Sequence, residues 1–150
     1  MRGFDNLNKR SIEFVKVGDK RSASKVITKQ DIEIFANLSG DFNPIHMDDD
    51  IASRTVFRSR IAHGMLVAGI ISAALSKFPG IVIYKSQTMV FLRPVRPGDS
   101  IEASAEVTEK TDETSEVRIK ITCQNQHGEN VISGEAIIKV LQAEPAGADC

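Results

Sequence analysis

The stretch Gly64-Met65-Leu66-Val67-Ala68-Gly69-Ile70-Ile71-Ser72-Ala73-Ala74-Leu75-Ser76-Lys77-Phe78 is almost wholly apolar, and Pro79-Gly80 closes it. A helix apolar on all sides belongs in a core, covered on most of its faces. The surrounding run without Asp, Glu, Lys or Arg, residues 61–76, is shorter than the roughly 18 residues a membrane span needs and includes His63. The pattern therefore points to one buried central helix.

Beyond Gly80 the apolar period changes from helical to two. Residues 81–91 are rich in β-formers, and Pro94-Val95-Arg96-Pro97-Gly98-Asp99 makes a corner. Ile101, Ala103, Ala105 and Val107 then alternate with Glu102, Ser104 and Glu106. Val117, Ile119, Ile121 and Cys123 alternate with Glu116, Arg118, Lys120 and Thr122, and residues 131–141 follow after His127-Gly128-Glu129-Asn130. Successive strands joined by short turns favour an antiparallel sheet with one apolar face laid on the helix. The expected class is α+β, a long helix wrapped by a curved antiparallel sheet.

Upstream, residues 11–17 alternate partly before Gly18-Asp19 and predict a short strand and turn; residues 23–27 predict a further extended piece. Thr28 offers an N-cap, with Asp31 as a short stand-in for the capping-box glutamate. Ile32, Phe35 and Ala36 share one face of the helix that follows, and Gly40 ends it. Asn43 precedes Pro44, so Asp41 to His46 is expected as a loop. Asp48-Asp49-Asp50 opens a short helix through Ser53, and residues 54–60, with three arginines, predict an exposed loop.

With 150 residues, one domain is the simplest organisation: a flexible 1–10, a folded 11–141 and a disordered tail at 142–150. A formal charge of −1 supplies no basic field for nucleic acid, and 26% charged with 41% hydrophobic residues fits an ordinary globular chain. Two cysteines, Cys123 and Cys150, make no disulfide framework and no metal-ligand spacing. A reduced, cytoplasmic setting is expected, since the N-terminus lacks the apolar core of a secretory signal.

Chemistry concentrates in Ser39-Gly40-Asp41-Phe42-Asn43-Pro44-Ile45-His46. On a continuous helix Asp41 and His46 would stand about 140° apart, too far round to cooperate. On a turn stiffened by Pro44 they can converge on one water, as a general acid–base pair. The alternative is a plain turn, with Asp41 and Asn43 bonding backbone and His46 capping a helix. Asp41, Asn43 and Asp48 also offer oxygen ligands, though no EF-hand glycine or closing glutamate follows. Gly64 would let a ligand oxygen reach the free N–H groups of a helix start, or would serve close packing alone. His63 beside it is a donor or a structural loop residue. Ser72, about 80° round the helix from Gly64, would ordinarily bond back to the Ala68 carbonyl. Arg54, Arg58, Arg60, Arg93 and Arg96 could meet phosphates, or form a solvated surface.

The run from Phe35 to His46 closely resembles the signature of the MaoC-like, (R)-specific enoyl-CoA hydratases of the hydratase 2 type. Ile61-Ala62-His63-Gly64-Met65-Leu66 resembles that family's second block, and the corner at 93–99 is similar to one common there. The resemblance covers about residues 11–141. It implies a hotdog fold, usually dimeric with sites near the dimer interface, acting on an acyl-CoA or acyl-carrier-protein thioester. The implied reaction is reversible hydration of a trans-2-enoyl thioester to the (R)-3-hydroxyacyl thioester, without a metal or other cofactor. It assigns Asp41 and His46 to the catalytic dyad, the backbone of Gly64 to the oxyanion donor, and Asn43 and Ser72 to support. A carrier-protein dehydratase, a hotdog thioesterase and a non-catalytic acyl-binding module are the alternatives.

Overall fold

The computed structural model describes residues 11–143, so the expectations for 1–10 and for all but the first two residues of the tail lie outside the described residues. The chain runs through β1 (Lys20–Val26), α1 (Lys29–Ser39), α2 (Pro44–Met47), α3 (Asp49–Ser53) and α4 (Gly64–Leu75). It continues as β2 (Ile81–Phe91), β3 (Ser100–Thr111), β4 (Glu116–Gln124) and β5 (Asn130–Leu141). The five strands form one antiparallel sheet in the order β1-β3-β4-β5-β2. The helix α4 packs against β1, β2 and β3.

The alternation read in β3 and β4 is the alternation of burial. Ile101, Ala103, Ala105 and Val107 point inward, as do Val117, Ile119, Ile121 and Cys123. They meet Val67, Ile70, Ile71, Ala74 and Leu75 of α4 in one core. Register breaks between Tyr84 and Ser86, Val107 and Glu109, and Cys123 and Gln124 bend the strands. This is the α+β hotdog arrangement that the sequence led us to expect.

Three expectations need correction. Residues 11–17 hold a 3-10 turn, Ser11–Phe14, not a strand. Ile12 and Val15, three apart, fall on the same side of such a turn and are both buried, which a short alternation count misreads. Second, α4 stops at Leu75, and its surface is not covered all round by this chain. Met65, Gly69, Ser72, Ala73 and Ser76 form an exposed stripe beside β2, which is itself an edge strand. Third, Pro44–Met47 is a turn of helix, not open loop. Asn43, extended as the residue before proline should be (φ −52°, ψ 127°), caps it, and Pro44 occupies its first position. No helix among the described residues is long and apolar enough to cross a membrane.

Candidate active site

The site begins with the end of α1. Its start is fixed by a reciprocal capping box: the Asp31 N–H donates to Thr28 Oγ1 (3.0 Å) and the Thr28 N–H to Asp31 Oδ2 (2.9 Å). Its end is fixed by Gly40, left-handed at φ 81°, whose N–H donates to the Ala36 carbonyl (2.8 Å). The chain leaves the helix sharply there, and Asp41 is held at once. Its N–H donates to Ser39 Oγ (3.1 Å) and its Oδ1 accepts from the Asn43 N–H (3.1 Å). Oδ2 is left for other work.

His46 lies in α2 and is buried. Its Nδ1 is 2.7 Å from the Ile61 carbonyl; a carbonyl only accepts, so Nδ1 carries the proton. A neutral ring then presents a bare Nε2. His63 is almost fully buried, with Nε2 2.9 Å from the Asp41 carbonyl, and its ring centroid stands 4.0 Å from that of His46. A carboxylate oxygen of Asp41 and one nitrogen each of His46 and His63 all lie within 4.8 Å of one another. One water bonded at about 2.8 Å to each partner can span such a gap between carboxylate and imidazole. The structure therefore brings Asp41 and His46 together.

A cation fits this cluster poorly. One nitrogen of each imidazole is already committed, His46 Nδ1 to the Ile61 carbonyl and His63 Nε2 to the Asp41 carbonyl. In the oxygen set Asp41, Asn43 and Asp48, each residue gives one oxygen to backbone: Asp41 to the Asn43 N–H, Asn43 to the Ile45 N–H (3.4 Å), Asp48 to the Ile51 N–H (3.0 Å).

Across the cavity is the start of α4. The Leu66 and Val67 N–H groups both donate to the His63 carbonyl, while those of Gly64 and Met65 meet no acceptor among the described residues. Both residues line the cavity, which thus adjoins the positive end of the helix dipole. Gly64 has a packing reason as well: a Cβ there would stand 2.5 Å from the Phe91 ring. The packing reading of this glycine is met in the structure.

The cavity measures about 520 Å³ and is mainly apolar, walled by Phe35, Phe57, Ile61, Met65, Phe91 and Leu92 among others. Its three phenylalanines come from separate parts of the chain, so no run of sequence displays them. Ser72 is not in this wall. It lies on the exposed stripe of α4, and within one chain does not join the site.

The arginines divide. Arg60 is not on an exposed loop but buried, its Nε 3.0 Å from Asp49 Oδ1 and its Nη1 3.3 Å from the His46 carbonyl. These two acceptors give its guanidinium a reason to turn inward. Arg54 pairs with Asp50 on the surface (3.0 Å), and Arg58 is exposed. Arg93 pairs with Glu129 (3.0 Å) at the cavity rim, and Arg96 donates to the Ser59 hydroxyl. Cys123 lies in the core, where burial pushes its thiol up to about 11, the condition of an inert cysteine.

The sheet, the central helix and the acid–imidazole pocket at the helix start define a hotdog-fold protein of α+β class. The chain belongs to the MaoC-like family: residues 13–130 match the family described as MaoC like domain. An (R)-specific enoyl-CoA hydratase of Rhodospirillum rubrum is 44% identical over 138 residues, covering 91% of this chain and 95% of the relative. A 3-hydroxybutyryl-CoA dehydratase of Methylorubrum extorquens is 43% identical over 136 residues, covering 89% and 86%. Among solved structures, the R-hydratase PhaJ1 of Pseudomonas aeruginosa superposes with a TM-score of 0.81 at 38% identity, over 93% of each chain.

Proposed function

We propose that the protein is an (R)-specific enoyl-CoA hydratase that adds water reversibly across the double bond of a trans-2-enoyl thioester. One observation carries the reading: a bare imidazole nitrogen and a free carboxylate oxygen share a pocket with unpaired helix N–H groups, in a cavity otherwise apolar. The thioester oxygen would sit on the Gly64 N–H, and the acyl chain against the apolar wall. Attack of water at Cβ drives electron density onto that oxygen as an enolate, where N–H donors stabilise the transition state more than the ground state.

The tautomer of His46 suggests the proton route. With Nδ1–H committed to the Ile61 carbonyl, Nε2 is placed to take a proton from water held by Asp41 Oδ2. The hydroxide oxygen bonds to Cβ, and the π pair collapses through Cα to the carbonyl. The imidazolium then returns its proton to Cα, restoring the thioester and neutral His46. Run backward, the same groups dehydrate the 3-hydroxyacyl thioester. Asn43 serves by capping α2 and bonding Asp41, not by reacting.

The exposed stripe of α4 and the free outer edge of β2 support a homodimer, which would cover Met65 and Tyr84 and bring Ser72 of one copy against the other. Loss of enoyl absorbance from crotonyl-CoA, with chiral analysis of the product, tests the reaction. Release of free thiol in place of hydration would make it a thioesterase. A parallel panel of enoyl-carrier-protein substrates decides the carrier.

A further inference from the structure

We propose that His63 is a positioning residue of this site, setting the Asp41 backbone with its Nε2–H and the His46 ring with its face; this rests on the hydratase reading above. The residue sits just before α4, at the N-cap position, yet its side chain makes no capping bond. The ring instead turns back across the cavity floor. Its Nε2 is 2.9 Å from the Asp41 carbonyl, which can only accept, so Nε2 bears the proton. The remaining nitrogen, Nδ1, is shielded from solvent and has no hydrogen-bond partner among the described residues.

That orphaned Nδ1 is informative. A buried polar atom without a partner costs stability, and a phenylalanine or leucine would fill the same space without it. The ring is also in contact with Phe35, at 4.8 Å between centroids, an environment that suits an apolar side chain better. What a histidine alone adds here is the Nε2–H directed at Asp41.

The consequence follows from how Asp41 is held. Its N–H is fixed by Ser39 and its carboxylate by the Asn43 N–H, but the peptide that follows would be free to rotate without a donor on its carbonyl. Rotation there would swing the chain that follows, including the Asn43 N–H that holds the carboxylate. His46 is held through a single ring nitrogen, about which the imidazole can pivot. The face of His63, 4.0 Å away at 31°, limits that pivot. One side chain therefore sets both partners. Since Nδ1 is enclosed, His63 acts through these neighbours rather than on substrate.

Two measurements test this. The first leaves the chain unaltered: long-range proton–nitrogen NMR of the imidazole rings should find His63 protonated on Nε2 and His46 on Nδ1. A His63 ring without a proton on Nε2 overturns the proposal, whatever the enzyme's activity. The second compares His63→Phe, which keeps the ring face, with His63→Gln, which can restore an N–H near the Nε2 position. His63→Phe should lower kcat roughly 10- to 100-fold with KM little changed, as expected of reacting groups displaced by a fraction of an ångström. His63→Gln should recover part of that loss. An unchanged kcat in His63→Phe, a change confined to KM, or a His63→Gln no better than His63→Phe would each overturn it. If the unaltered protein hydrates no enoyl thioester, the functional reading fails, and the NMR measurement still decides the geometry around His63. The NMR result stands equally if neither variant folds.

Discussion

Arg60 reaches the carbonyl of His46 from inside the protein, 3.3 Å from Nη1, while its Nε binds the exposed carboxylate of Asp49 at 3.0 Å. A buried cation is thus tethered on one side to the turn that carries the imidazole and on the other to α3. Replacing it with a methionine of similar bulk removes the donor to the His46 carbonyl. Arg60→Met should cost about 1–3 kcal/mol, the range for a buried polar group left unsatisfied. Asp49→Asn should cost less than about 1 kcal/mol, because that carboxylate is largely in water. Urea denaturation of both variants checks this. Equal losses would mean that the ion pair, rather than the bond to His46, is what matters.

The proposed dyad of Asp41 and His46 makes separable demands on the hydration step. Asp41→Asn retains an oxygen for the Asn43 N–H, so the turn should keep its shape while losing the charge that holds water. His46→Gln removes the proposed proton acceptor. Each should lower kcat by about 10²–10⁴, the usual worth of a positioned acid–base group, with smaller changes in KM. Initial rates with crotonyl-CoA give the comparison. Activity retained in both would sink the assignment of the dyad.

Gly40 joins the capping of α1 to the placement of Asp41. Its φ of 81° lies where a Cβ is strained, although nothing stands within 4 Å of the space a Cβ would fill. The penalty for a side chain is therefore conformational and not steric crowding by neighbours. Gly40→Ala should lose about 1–2 kcal/mol, and Gly40→Asn distinctly less, because asparagine tolerates the left-handed region. Thermal unfolding of the two variants checks the order. An alanine as stable as the parent would show that the turn relaxes out of this conformation.

What could be read from the sequence was whatever depends on near neighbours. The Thr28–Asp31 box, the stop at Gly40 and the alternation of β3 and β4 need only a few residues of context, and each is found where expected. The short turn Ser11–Phe14 was misread because Ile12 and Val15 give too little pattern to separate a period of two from one of three. The site resisted for a different reason. His63 meets Asp41 across 22 positions and Arg60 meets His46 across 14, and nothing local marks either pairing. Arg60 sits in an arginine-rich run that reads as surface until Asp49 and the His46 carbonyl are seen beside it. The exposed stripe of α4 has the same character: its small and apolar residues read as core whether the cover is this chain or another.

Asp31 ties the start of α1 to pH. The Thr28 backbone N–H, first, holds its carboxyl below the ordinary value of 3.8; burial opposes this, and Lys25 at 3.1 Å adds to the lowering. A carboxyl depressed in the folded state stabilises the fold above its unfolded value, and that contribution is lost as pH falls through the folded one. The stabilisation is therefore fully present at neutral pH and disappears below about pH 4. Asp31→Asn keeps an acceptor for the Thr28 N–H but cannot titrate. Its stability should be lower than the parent's at pH 7 and should fall less steeply between pH 5 and acid, so that the two curves approach one another. Urea midpoints measured across that range make the test, and parallel curves would show that the capping box contributes no pH dependence.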